Sequence, residues 1–154
     1  LQSELGLQQQ LAATPAFAGL PRGPIHADLF RDNVMFEGEQ LTGLFDFYFA
    51  GVDSYLFDIA VCLNDWCVVA PTGRLDTQRT IAFVAAYDAV RRLSDDELGL
   101  MPTALRGAAL RFWISRLWDL HLPRHASVLT AHDPSHFERV LQARRDSPLQ
   151  YARP

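Results

Sequence analysis

The stretch Ile25 to Phe36, IHADLFRDNVMF, sets a histidine, acids, an arginine and an asparagine between apolar neighbours. It is followed by a second apolar run that ends in an acid, LTGLFDF, Leu41 to Phe47. Asn33 and Asp46 offer the hard oxygens that Mg²⁺ accepts in small number, with substrate phosphates filling its remaining positions. That leaves the Asp28 carboxylate free to meet a hydroxyl. Metal ligands plus one carboxylate that orients or deprotonates the attacking oxygen are the parts phosphoryl transfer requires. The competing reading is a solvated turn with incidental acids. The order H-x-D-x4-N, strand, turn, strand and Asp argues against it, because a motif gains weight from such context.

The elements around these residues must bring three polar groups to one place. NVMFE and LTGLFDF read as two short strands joined by GEQ, and Gly38 in so short a connection signals a hairpin. Such a hairpin carries the chain out past Asn33 and back to Asp46, at one end of a small sheet. Upstream, SELGLQQQLAA predicts a helix closed at Thr14-Pro15, and GLPRGP, Gly19 to Pro24, reads as a loop. After AGVDS the pattern turns helical. YLFDIAVCLNDWCVVA, Tyr55 to Ala70, is apolar almost all round and reads as a core helix ended by PTGR. Asp76 is placed to cap the next helix, and SDDE, Ser94 to Glu97, matches a capping box. Pro102 is expected to split the following region into two helices. ALRGAALRFWISRLWDLHL reads as a long helix. Asp133 and Pro134 open a last helix that ends near Arg145. The expected fold is α+β and mostly α, with one small β-hairpin unit followed by four or five helices.

Bulk properties narrow the function. The 154 residues suit a single domain, 1–154, with a sizeable core. A net charge of −4 gives no footprint for nucleic acid or for an anionic membrane. No apolar run approaches the length of a membrane span, and no secretory signal opens the chain. Cys62 and Cys67, five apart in one predicted helix, face different ways, so buried thiols in a reducing, cytoplasmic setting are expected rather than a disulfide. His121, His125, His132 and His136 are spaced four, seven and four. Pro123 and the helix start at Asp133-Pro134 interrupt them, and zinc needs rigid convergent ligands, so no metal site is assigned there. Two absences remain: no Met at position 1, and no lysine among fourteen basic residues.

HADLFRDN together with GLFDF resembles the catalytic core of the aminoglycoside-phosphotransferase-like small-molecule kinases, distant relatives of protein kinases. LPRGPIHADLFRDNVMF, LTGLFDFYFAGVD, FDIAVCLNDWC and LRFWISRLWDLHLP are together similar to the homoserine kinases of that superfamily, over about Leu20 to Val140. The resemblance implies ATP and Mg²⁺ as cofactors, with Asp28 as base or hydroxyl-orienting group and Asn33 and Asp46 as metal ligands. It implies that His26 braces the catalytic loop and that Asp58 supports it from the following helix. It further implies phosphorylation of the side-chain hydroxyl of L-homoserine, in threonine biosynthesis. Phe30 stands where a protein kinase has Lys, DFY replaces D-F-G and no A-P-E follows, which fits a small alcohol better than a protein. The phosphate-clamping Lys and a glycine-rich loop are absent from this sequence. The expectation is therefore a helical C-terminal, catalytic-loop lobe without its N-terminal ATP-clamping lobe, inactive alone. A kinase of another small alcohol (aminoglycoside, choline or sugar) and a non-catalytic kinase-like binding module are the alternatives.

Homoserine also carries an ammonium and a carboxylate, so its site should offer an acid and an Arg near Asp28. Asp32, Asn64 and Asp65 are the polar candidates, and Arg111 and Arg116 are the candidates for the carboxylate. Either Arg serves equally well as a structural ion-pair partner. Arg31 either approaches a phosphate of the cofactor or is solvated.

Overall fold

The computed structural model describes residues 1–122 and 132–151. Helix α1, Gln2–Ala12, is followed by the short α2, Pro15–Ala18, whose Thr14 cap hydroxyl accepts from the Phe17 amide at 3.3 Å. Strand β1, Arg22–Ile25, comes next. The hairpin consists of β2, Val34–Glu37, and β3, Gln40–Leu44, turning at Gly38 with φ +62°. Strand β4, Gly51–Ser54, leads into α3, Tyr55–Trp66. A two-residue pair, β5, Val68–Val69, and β6, Arg74–Leu75, precedes α4, Thr77–Val90, then α5, Asp95–His121, and α6, Ser135–Asp146.

The helices make the body of the chain. Leu56, Ile59 and Leu63 of α3 meet Met101, Leu105 and Phe112 of α5, and Phe137, Val140 and Leu141 of α6 close the same cluster. Each such side chain, fully buried, contributes about 1.5–3 kcal/mol. Two ion pairs tie the outer helices on: Glu4 of α1 to Arg106 of α5, and Arg91 after α4 to Glu97 of α5. Glu97 also completes the predicted capping box. Its carboxylate accepts from the Ser94 amide at 2.8 Å, and its own amide donates to the Ser94 hydroxyl at 3.1 Å. Ser94→Ala should therefore cost about 1 kcal/mol in urea denaturation, by the usual worth of an N-cap. Asp76 caps α4 as expected, accepting from the Arg79 amide at 2.9 Å.

Three expectations are corrected. Pro102 does not divide α5, which runs unbroken through it. The cost of an interior proline is about 3 kcal/mol, and Met101 and Leu105 on either side are wholly buried against α3 and α6, which offsets it. Helix α3 stops at Trp66 rather than Ala70. Val68 and Val69 pair back on Arg74 and Leu75 around Gly73, whose φ of +71° suits glycine. A Cβ there would also lie 2.7 Å from the backbone of Arg139 in α6. Finally, Arg22 to Pro24 are not loop. They belong to β1, antiparallel to β4 in the register Arg22↔Ser54 to Ile25↔Gly51. Pro24 is tolerated because the ribbon has only two strands, and at Gly23 a Cβ would overlap the Tyr55 ring end unless that side chain moved away.

That ribbon positions the polar residues. The chain leaves β1 into the loop carrying Asp28, makes the β2–β3 hairpin, and returns through the loop carrying Asp46 into β4. Both loops therefore span the same gap between two antiparallel ribbons, which sets them side by side.

Candidate active site

Helix α3 grips the first loop. Asp58, in its first turn, accepts from the His26 amide at 2.8 Å with one oxygen and from the Ala27 amide at 2.7 Å with the other. Two turns further on, the Trp66 indole N–H donates to the Leu29 carbonyl at 3.0 Å, and the Cys62 thiol reaches the same oxygen at 3.6 Å. Asp58, Cys62 and Trp66 are spaced i, i+4, i+8 and so share one helix face. Trp66 and Cys62 were not among the sequence candidates, although this spacing from Asp58 was there to be read. Burial pushes the Cys62 thiol far up, so it stays protonated and available as a donor.

The two loops are also tied to each other. The His26 ring donates through Nε2 to the Phe45 carbonyl at 2.9 Å and lies against the Phe47 ring at 4.7 Å. The Phe45 amide donates to the Asn33 carbonyl at 3.2 Å, so Asn33 sits across from the residue preceding Asp46. The Asn33 side-chain amide donates to the Asp28 carbonyl at 2.8 Å. Ala27 (φ 63°) and Asp46 (φ 61°) are the positive-φ non-glycine residues among those described, one in each loop. A left-handed alanine costs about 1–2 kcal/mol, and the paired bonds to Asp58 hold it there.

Asp28, Asn33 and Asp46 are thus brought together. Burial pushes the Asp28 carboxyl above the ordinary carboxylate range. Arg111 opposes this, its Nη1 4.0 Å from Asp28 Oδ1, while the negative charge of Asp46 reinforces it. Asn33 spends its NH₂ on Asp28 and keeps its oxygen, and Asp46 is exposed with no side-chain cap bond. These are hard oxygens of the kind a magnesium ion accepts, but among the described residues no group of three or more His, Cys, Asp or Glu side chains is placed to hold a metal ion.

The remaining candidates divide. Asp32 is exposed beside Asp28 and adds to its negative field. Arg31 and Asp65 are spent on each other: the Arg31 amide and Nε meet Asp65 Oδ2 at 2.8 and 3.0 Å, and Nη2 reaches Oδ1 at 3.3 Å. The pair fastens the far end of the loop to α3. Asn64 is corrected outright, being wholly buried. Its amide donates to the Leu105 carbonyl at 2.8 Å and its oxygen accepts from Arg144 at 2.9 Å, so it locks α3 to α5 and α6. Arg116 lies over the Phe137 ring at 4.5 Å and donates to the Asp133 carbonyl at 3.4 Å, on the α6 side of the helix. Arg111 stays with Asp28. Of the histidines, His121 ends α5, His132 precedes α6, His136 lies within it, and His125 lies outside the described residues. Cys62 and Cys67 are both free and buried.

A cavity of about 460 Å³ opens beside this cluster, between α1, α2, α3, β4 and α5. Its walls are mainly apolar, with Leu11, Phe17, Leu56 and Leu110 among them, and Arg111 forms part of its edge together with Asp53. Among the described residues no helix is long and apolar enough to cross a membrane.

Two loops braced from one helix thus carry an acid, an amide and a second acid side by side on a mostly helical α+β body. Residues 1–93 match the model of the phosphotransferase enzyme family (APH), and the chain belongs to that family. It is 60% identical over 145 residues to the homoserine kinase of Polaromonas naphthalenivorans, covering 94% of this chain and 46% of that one. It is 56% identical over 150 residues to the homoserine kinase of Ralstonia pickettii, covering 94% and 45%. Against the homoserine kinase of a Janthinobacterium species the identity is 54% over 144 residues, covering 94% and 45%. The chain spans about half the length of the curated relatives it matches.

Proposed function

We propose that this chain carries the catalytic-loop lobe of an ATP-dependent kinase acting on the side-chain hydroxyl of L-homoserine. The observation that carries the reading is the meeting of Asp28, Asn33 and Asp46 on two mutually braced loops. The substrate is suggested by the names of the relatives.

In this reading the substrate hydroxyl donates a hydrogen bond to the Asp28 carboxylate, which aims the oxygen at the terminal phosphorus of ATP and takes its proton; as the new O–P bond forms, the bond from that phosphorus to the bridging oxygen breaks and ADP leaves. Burial keeps Asp28 more basic than an exposed aspartate, which suits that role. Asn33 and Asp46 would hold Mg²⁺, which when bound neutralises phosphate charge. His26 and Asp58 keep the loop in its left-handed turn at Ala27, so that Asp28 is positioned before substrate arrives.

The rest of the ATP site belongs to another part of the polypeptide. A strand Lys normally clamps the phosphates in kinases of this type, and this sequence has none. The hairpin side also presents a broad apolar surface, with Met35, Phe36, Leu41 and Phe47 exposed, Tyr48 78% exposed and Val52 73%. Exposed apolar patches commonly mark an interface, and in this reading the partner is the N-terminal lobe. The 154-residue chain alone should then show no measurable turnover, whereas the full-length protein should phosphorylate homoserine. A phosphorylation panel of homoserine, choline and an aminoglycoside tests this. Homoserine as the preferred acceptor supports the reading. Preference for another alcohol, or robust activity of the isolated chain, overturns it.

A further inference from the structure

Most of the acid-paired arginines in this chain are committed at close range. Arg22 meets Asp53 at 3.0 Å, Arg31 meets Asp65 and Arg79 meets Asp76, while Arg91 and Arg106 are held by Glu97 and Glu4. Arg111 is different. Its guanidinium lies over two rings, 4.6 Å from the Phe49 centroid and 4.2 Å from that of Phe112. Its nearest carboxylate oxygen, on Asp28, is 4.0 Å away, beyond hydrogen-bond reach. Among the described residues, no hydrogen-bond acceptor is found for its N–H groups. A guanidinium carries five N–H donors in a planar fork that matches a carboxylate edge-on. In Arg111 the two ring contacts hold the guanidinium in place while leaving its N–H donors unspent. The same side chain borders the 460 Å³ cavity beside the site.

Resting on the kinase reading above, we infer that Arg111 is the specificity-determining residue that receives the carboxylate of the acceptor. It thereby selects small hydroxy acids over neutral or purely cationic alcohols. The geometry sets the size of that acceptor. With only 4.0 Å between Asp28 Oδ1 and Arg111 Nη1, hydroxyl and carboxylate must belong to one compact molecule, a few bonds apart. A long acceptor with its charge far from the hydroxyl cannot engage both groups. Arg116, turned onto Phe137 and Asp133, does not compete for this role.

The test compares L-homoserine with 3-aminopropan-1-ol, the same molecule without its carboxylate, as acceptors for the full-length protein. The wild type should favour homoserine, and Arg111→Gln should shrink the ratio of the two kcat/KM values by about 10- to 100-fold, the worth of one charge-assisted contact. The loss should fall mainly on KM for homoserine. Arg111→Lys, which keeps the charge but not the fork, should restore only part of the ratio and guards against a folding defect in the glutamine variant. An unchanged ratio, with both acceptors losing equally, would show that Arg111 only supports the fold and would overturn the assignment. A wild type that phosphorylates both equally also overturns it while leaving the kinase reading intact. Phosphorylation of neither removes the kinase reading itself.

Discussion

Asp28→Asn in the full-length protein is expected to lower kcat by about a hundredfold to ten-thousandfold, the range for removal of a positioned general base, while thermal stability holds or rises. The two halves of that result come from one observation. Burial raises the Asp28 carboxyl above its usual range. An acid whose folded pKa is raised binds its proton more tightly when folded, so its ionised form costs stability at neutral pH. The amide has the same shape without the charge and relieves that cost. Arg111 at 4.0 Å returns only part of it. A residue present for stability would behave in the opposite way, losing melting temperature first and activity only in consequence. Steady-state kinetics beside a melting curve separates the two.

Asp58→Ala should be the most damaging single change outside the reacting groups. It strips the acceptors from two backbone amides at once, those of His26 and Ala27, each bonded to a separate oxygen at 2.8 and 2.7 Å. Hydrogen bonds to a charged partner are worth about 1.5–3 kcal/mol each, so a loss of about 3–6 kcal/mol in urea denaturation is expected. The left-handed turn at Ala27 then loses what holds it, and kcat should fall even in the fraction that remains folded. Asp58→Asn keeps one oxygen acceptor and should lose roughly half as much stability. Adding Ala27→Gly to Asp58→Ala should recover part of the stability, because glycine takes positive φ without the Cβ penalty. If both Asp58 variants unfold at the wild-type urea concentration, the bracing role is wrong.

What could be read in the sequence and what could not divides by distance along the chain. The Asp76 cap, the Ser94–Glu97 box and the Gly38 hairpin are decided within a few residues, and each stands where local chemistry put it. The pairing of β1 with β4 joins residues up to 32 positions apart, Arg22 with Ser54. Nothing in GLPRGP announces a partner at that range. Pro102 obeyed packing rather than propensity. Within the site, the polar run was legible because its residue types are costly to place together without a purpose. The roles of individual residues on α3 were not. That helix is apolar nearly all round, so periodicity named no polar face, and Asn64 could not be told from Asp65 by pattern. The structure sends Asn64 to a core bond with Arg144 and Asp65 to the loop. Arg111 and Arg116, equal in the sequence, separate because one helix face meets Asp28 and the other meets α6.

The division of labour proposed for the two loops is tested most directly by titrating Mn²⁺ with ATP into the full-length protein and following the free ion by electron paramagnetic resonance. The wild type, Asp28→Asn and Asp46→Asn should be compared. If Asn33 and Asp46 hold the metal while Asp28 serves the hydroxyl, Asp46→Asn weakens metal–nucleotide binding by at least about tenfold, as expected for a lost ligand. Asp28→Asn then binds Mn²⁺ and ATP as the wild type does, yet keeps only about a hundredth to a ten-thousandth of the wild-type kcat. Equal weakening in both variants, or undiminished binding in Asp46→Asn, would contradict the account.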